Sequence, residues 1–314
     1  MIASTQDPTE QTFRDLGARL SNWGRWGVED ERGTTNLITP ELIARAGSLI
    51  RRGAVFDLGI PVDANGPQMG TTRHNPIHFM SETGEGQSRF AGPFRYADDY
   101  IVMPLQCGTQ WDALSHVMYD GLLYNGFPSS TITSAGAARN AIDKQGRGIA
   151  GRGVLLDMAR LLDVAWLEPG FAIEASHLDA ALARQRVEVG RGDIVLLRTG
   201  FWKMFDETRD RVAFAGAEPG LALSCCEWLH ERDVAVVCAD NRAVEVLPSE
   251  TPDVSLPLHL ILIRDMGMTL GEIFDLEELA ADCEADGTSE LFFCGPPLKV
   301  TCGVGSPVNP LAIK

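Results

Sequence analysis

An α/β fold in one domain, preceded by a helical N-terminal arm, is what this sequence predicts, and three observations predict it. Short apolar runs bounded by glycine, aspartate or proline recur from residue 54 onward. Between residues 153 and 239 these runs alternate with segments of helical spacing. The first fifty residues carry helical spacing alone. Strand and helix in alternation mark an α/β core, and strands that are apolar almost throughout are those covered on both faces.

In chain order, residues 1–50 form the arm. Leu16, Leu20 and Trp23 recur at helical spacing, and Thr39-Pro40-Glu41 opens a second helix with Thr39 as N-cap and Pro40 at the first position. Residues 51–314 form the α/β domain, with strands expected over 55–61, 100–105, 153–158, 193–198, 234–239 and 291–301. Ser176 and Asp179 resemble a capping box, with Asp in place of the usual Glu or Gln, opening a helix that ends near Val187. Another helix is expected over 219–231, where Leu221, Cys225 and Trp228 share a face. The segment 62–99 reads as a long, Gly-rich loop holding His74 and His78, and long loops in compact domains often carry function. His259 interrupts a strand-like apolar run over 256–263.

Composition narrows the function. A chain of 314 residues, 45% hydrophobic, can bury a full core without disulfides. The seven cysteines are odd in number and form no C-x-x-C pair, so neither a disulfide framework nor a zinc ribbon is expected. With 43 acidic and 27 basic residues, the net charge of -16 argues against nucleic acid or an anionic membrane as partner. The N-terminus has no basic start followed by an apolar core, and no apolar run is long enough to span a bilayer. The glycines over 146–153 form no dinucleotide fingerprint. The expectation is a cytoplasmic protein acting on a small molecule, without a nucleotide cofactor.

The chemistry concentrates between Gln106 and His116. Gly108 permits a tight turn after a strand, and around it Gln106, Gln110, Asp112 and His116 can converge. Asp112 and His116 alone also fit a capping aspartate and a surface histidine at helical spacing. Trp111 fits either the core or an aromatic wall for a planar substrate. His78 fits a pocket residue delivered by the long loop. Asp240-Asn241, at a strand end, suit either a ligand site or an Asx turn. Cys107 lies inside the motif, but no signature supports a nucleophilic thiol. His177 reads as a helix-start residue and His230 as a solvated one.

The same stretch resembles the signature H-x-G-T-H-x-D-x-x-x-H of the metal-dependent hydrolases called the cyclase family, which includes bacterial kynurenine formamidase and isatin hydrolase. Gly108, Thr109, Asp112 and His116 stand in register with it. Similar segments follow the family's order: 22–26 through 36–40, the strand 193–200, His259 with Glu272 thirteen residues later, and 305–310. The resemblance implies a swivelling β/β/α domain and a homo-oligomer, dimer or tetramer, in which an arm can complete a neighbour's site. It implies hydrolysis of a small cyclic or aryl amide, formamide, lactam or ester. It places a divalent metal on Gln106, Gln110 and Asp112, and proton transfer on His116, assisted by His259 and Glu272.

Two positions depart from the signature: Gln106 and Gln110 stand where the family has histidines. An amide oxygen is a harder, neutral donor, better suited to Mg, Ca or Mn than to Zn. Three outcomes follow: a site for a harder ion, a metal-free acid–base site of Asp112, His116 and His259, or an inactive site. The rival functions are therefore a polyketide-type cyclase or dehydratase, and a binding homologue without turnover.

Overall fold

A nine-stranded mixed sheet carries the fold of the computed structural model, which describes residues 9–86, 90–145 and 148–314. Its strands are β1 (Val55–Asp57), β2 (Gln110–Asp112), β3 (Ala150–Asp157), β4 (Ile194–Arg198), β5 (Val236–Ala239), β6 (Leu270–Glu272), β7 (Glu290–Cys294), β8 (Gly305–Pro307) and β9 (Leu311–Ile313). They lie in the order β1-β9-β7-β3-β4-β5-β6-β2-β8. The central strands β3, β4, β5 and β6 are parallel. Antiparallel strands flank them on both sides. The protein is a mixed α/β domain.

Near-continuous apolar strands arise because both sheet faces are covered. Along β3 and β4, Val154, Leu156, Val195 and Leu197 enter one core cluster, and the alternating Leu155, Ile194 and Leu196 enter the other. Burying each such side chain contributes about 1.5–3 kcal/mol, so a polar substitution on either face is costly. Helices Ala175–Gln185 and Ser224–Glu231 contribute to the first cluster. Helix Glu277–Asp286 supplies Leu279, Ala280 and Cys283 to the second.

The N-terminal helix Glu10–Leu20 is capped by Thr9 and buries Phe13 and Leu20 in the first cluster. Thr39 caps Pro40–Gly47 by accepting from the Leu42 amide. Leu37 is fully buried in the second cluster, so the N-terminal residues pack into the body.

Several elements differ from expectation, each for a local reason. The run 256–263 is helical: a turn Pro257–His259 continues into a π-helical segment Leu260–Asp265. A short apolar run does not distinguish a buried strand from a buried helix, and Pro257 at the first helical position was the deciding signal. The helix expected to open at Ser176 starts at Ala175, because Glu174 is the N-cap and His177 accepts its backbone amide. The helix expected over 219–231 begins at Ser224, since Gly220–Leu221 pairs in parallel with Ala172–Ile173. Within 62–99, Ile77–Glu82 pairs with Asp98–Val102 as a separate antiparallel ribbon. The strand expected over 100–105 belongs to this ribbon, outside the main sheet.

Candidate active site

Strand alternation builds the centre. In β2, Gln110 and Asp112 point to one face and Trp111 to the other, because successive side chains alternate. β6 lies antiparallel beside it with Glu272 opposite Gln110, and directly opposed residues share a face. Gln110 Nε2 donates to Glu272 Oε2 at 2.6 Å and reaches Asp112 Oδ1 at 3.4 Å. β8 closes the other edge, with Gly305 opposite Asp112. A Cβ at Gly305 would lie 2.5 Å from Gln106 Nε2, so glycine there makes room for the Gln106 amide beside the site.

His259 comes from the helical turn 257–259. Its Nε2 lies 3.1 Å from Glu272 Oε1 and 4.0 Å from Asp112 Oδ2. One ligand atom from each of Asp112, His259 and Glu272 lies within 4.8 Å of the others, and all three residues are buried. On the far side of the ring, Glu245 Oε2 accepts from the His259 amide at 2.8 Å and lies 3.0 Å from Nδ1. Glu245 is itself held by close packing: a Cβ on Gly220 would lie 2.3 Å from the Glu245 carbonyl carbon. The chain bends sharply beside both carboxylates. Val244 and Ile273 adopt φ of 58° and 56°, a region costly for β-branched residues, at about 1–3 kcal/mol each.

The electrostatics favour a cation. Burial first, then the neighbouring Asp112 carboxylate, push the Glu272 pKa up to about 7. Burial also raises Glu218 to about 8, with Arg242 opposing and Glu272 adding to the shift. Glu218 is fully buried and ion-paired to Arg242 at 3.1 Å. Burial acts to lower the His259 pKa, but hydrogen bonds to Glu245 and Glu272 outweigh it and raise it well above the usual value. Asp112 Oδ2, Gln110 Oε1 and Glu218 Oε1 are buried acceptors without a hydrogen-bond partner among the described residues. Unpaired buried acceptors are costly, and a divalent ion among Asp112, Glu272 and His259 would relieve both the repulsion and the missing contacts. The residues present therefore fit a metal, with an imidazole that must first release its Nε2 proton.

His116 is the member that reaches solvent, with 21% of its side chain exposed, and its Nε2 lies 3.8 Å from Asp112 Oδ1. Burial lowers its pKa, partly offset by Asp112, so the ring is neutral near pH 7 and able to accept a proton.

The structure thus brings Gln110, Asp112, His116, His259 and Glu272 together. His259 and Glu272, read from sequence as proton-transfer groups, lie with Asp112 in a group whose ligand atoms could hold a metal ion. Two expected substrate contacts lie elsewhere. Trp111 is fully buried, donates to the Gly295 carbonyl at 2.7 Å and packs edge-on against Phe274 and Phe293. Its place on the opposite face of β2 makes it core. His78 lies on the exposed ribbon, bonded to Asp99 at 2.8 Å with 53% of its side chain exposed. Asp240 accepts from Thr199 and Gly200 and Asn241 ties Pro219 to Val244, so both are structural. Glu218 and Glu245 were missed by sequence reasoning; a lone glutamate in an apolar context, as in Ala243-Val244-Glu245-Val246, was the available signal.

Comparison with known proteins bears on the family and the fold. The Cyclase family model matches residues 56–246. A solved structure described as a novel cyclase is 42% identical, with a TM-score of 0.89, covering 95% of this chain and 99% of its own. Isatin hydrolase A from Ralstonia solanacearum is similar at 21% identity and TM-score 0.61, over 88% of this chain and 97% of its own. A protein described as a predicted metal-dependent hydrolase from Bacillus stearothermophilus is similar at 17% identity and TM-score 0.53, over 83% and 98%. These two likenesses are of fold. No curated protein matches the chain.

Proposed function

The chain belongs to the cyclase family, and from that premise we propose that it hydrolyses a C–N or C–O bond in a small cyclic or aryl amide, formamide, lactam or ester. The observation that carries this reading is the buried convergence of Asp112, His259 and Glu272 with unpartnered acceptors on Asp112 and Gln110. A divalent ion bound there supplies Lewis-acid polarisation of a carbonyl and an acidified water. Asp112, Glu272 and His259 hold that ion, and the Gln110 amide sets the spacing of the two carboxylates. Glu245 fixes the orientation of the His259 ring, as carboxylates commonly do for ligating histidines. His116, at the open side, takes the proton from the nucleophile and returns it to the leaving group. Two carboxylates with one imidazole suit manganese better than a late, soft metal. Elemental analysis of protein purified without chelator, followed by chelation and add-back, tests this. Chelation should abolish turnover and Mn²⁺ should restore it; full turnover in metal-free protein would overturn the metal-assisted reading.

One observation favours a second reading. Gln110 Nε2 already donates towards both Glu272 and Asp112, which holds the carboxylates together without an ion. Such a site suits acid–base cyclisation or dehydration. Oxygen from labelled water enters the product of hydrolysis and not that of either alternative.

The family's homo-oligomeric habit is proposed for this chain as well. The ribbon presents Ile77, Phe79, Tyr100 and Val102 on one face, each about half exposed. An isolated two-stranded ribbon is marginal in water, and an uncovered apolar face of this kind marks a contact surface. Light scattering should give a dimer or tetramer.

A further inference from the structure

Arg73 lies in the segment 62–76, and that segment is built to hold it. Asn75 and Gln68 clasp each other, with Gln68 N donating to Asn75 Oδ1 at 2.9 Å and Asn75 Nδ2 donating to Gln68 O at 3.2 Å. Gly70 N closes the tip on the Arg73 carbonyl at 3.0 Å. The clasp is fastened to the signature stretch by Gln68 Nε2, which donates to the Cys107 carbonyl at 3.0 Å. Arg73 Nη1 then donates to the Gln106 carbonyl, also at 3.0 Å. A half-buried cation is thereby fixed on the signature stretch, against the Gln106 carbonyl.

In a chain with 43 acidic and 27 basic residues, a half-buried arginine on the signature stretch could pair with a carboxylate, yet among the described residues no ion pair forms. Among the described residues, the Gln106 carbonyl is the hydrogen-bond partner of the guanidinium, and no carboxylate oxygen lies within 4.0 Å of it. Gln106 ties it to the site, since the Gln106 amide lies beside Gly305, which stands opposite Asp112 in the sheet. Occupation of Nη1 leaves the Nε and Nη2 edge, two parallel N–H groups whose spacing matches the two oxygens of a carboxylate. The buried amide Nε2 of Gln106, the residue Arg73 grips, is a second donor without a partner among the described residues. The site thus has an acceptor side at Asp112, Glu272 and Gln110 and a donor side at Arg73 and Gln106.

We infer that Arg73 is a substrate-recognition residue that takes a carboxylate borne by the substrate, so that the protein acts on anionic amides or esters in preference to neutral ones. The inference rests on the hydrolytic reading above for the reaction, but not for the binding. Carboxylate recognition by a guanidinium edge counters the repulsion an anion meets from Asp112 and Glu272. It also fixes the scissile bond at a set distance from them.

Calorimetric titration of the full chain with benzoate and with benzamide tests the binding, using wild type, Arg73→Lys and Arg73→Met. Benzoate should bind wild type at least tenfold more tightly than benzamide. Arg73→Met should lose that preference, and Arg73→Lys should retain part of it, with benzamide unchanged throughout. Equal benzoate affinity in wild type and Arg73→Met would overturn the inference, as would the absence of any benzoate preference in wild type. Melting temperatures identify a variant that fails to fold, and Arg73→Lys then decides. Turnover of 4-acetoxybenzoate against phenyl acetate adds the kinetic arm: the carboxylate should lower KM in wild type, less in Arg73→Lys and not in Arg73→Met. Hydrolysis of neither ester counts against the hydrolytic reading, while the benzoate titration still judges Arg73.

Discussion

The cluster around Asp112 and the ribbon Ile77–Glu82 with Asp98–Val102 differ in nearly every physical respect. In the cluster, Asp112, His259, Glu245 and Glu272 are between 0% and 3% exposed, and hydrogen bonds or ion pairs fix each one. In the ribbon, apolar and polar residues alike are exposed, and its ion pair of His78 and Asp99 lies in solvent. Buried charge in a low-dielectric setting is energetically expensive and therefore sensitive to single changes. Exposed charge is screened and insensitive. Chemistry should follow the first region, and assembly the second.

The largest effect is expected at Asp112. Asp112→Asn should lower turnover by at least 100-fold and abolish metal binding, since a neutral amide replaces the carboxylate shared by Gln110, His116 and His259. The fold should persist, with a melting temperature equal to or above wild type, because removing one buried charge relieves repulsion on Glu272. Retention of more than a tenth of the activity, a barrier change under about 1.4 kcal/mol, would take Asp112 out of the mechanism.

His116→Ala comes next. A general acid–base group contributes about 10²–10⁴-fold, and its loss falls on kcat rather than KM because the proton moves in the transition state. Measured on one preparation, an unchanged kcat with a lowered melting temperature would reduce His116 to a packing residue.

Glu245→Gln should cost less, about 10–100-fold, as is usual when the outer partner of a ligating histidine is altered. The amide oxygen can still accept from the His259 backbone, so stability should change little. A matching fall in metal affinity distinguishes a positioning role from a structural one, and Glu245→Asp should restore part of both. Turnover at wild-type level in Glu245→Gln would show that the ring is oriented without it.

How much of this was legible in the sequence follows from what each region's pattern encodes. The apolar strands β3, β4 and β5 were readable because both their faces are buried, so almost every residue reports the same environment. The pairing of Gln110 with Glu272 was not readable, since 162 residues separate them and only the sheet order brings them together. Once Gln110–Asp112 is known to be a strand, alternation alone sends Trp111 into the core; without that assignment its role stayed open. His259 was singled out in a run whose helical state was misread, because its chemistry stood out while its periodicity did not. Glu245 escaped because its apolar neighbours mark it as unusual without naming its partner, which is fourteen residues away across a bend.

The smallest effect, and the sharpest check on the contrast, is His78→Ala. The histidine was a candidate pocket residue by sequence, yet it faces solvent on the ribbon and bonds Asp99 at 2.8 Å, with 53% and 59% of the two side chains exposed. An exposed ion pair contributes about 0–1 kcal/mol, so the melting temperature should move little. kcat and KM should stay within twofold of wild type, since none of the residues around Asp112 touches His78. The opposite result is informative. If His78→Ala lowered turnover while the isolated protomer stayed folded, the ribbon would have to reach a catalytic centre it does not meet within its own chain. The neighbouring copy's site would then be its target. Mixing His78→Ala with Asp112→Asn protomers decides this, because activity regained in the mixture requires one copy to supply the histidine and the other the aspartate.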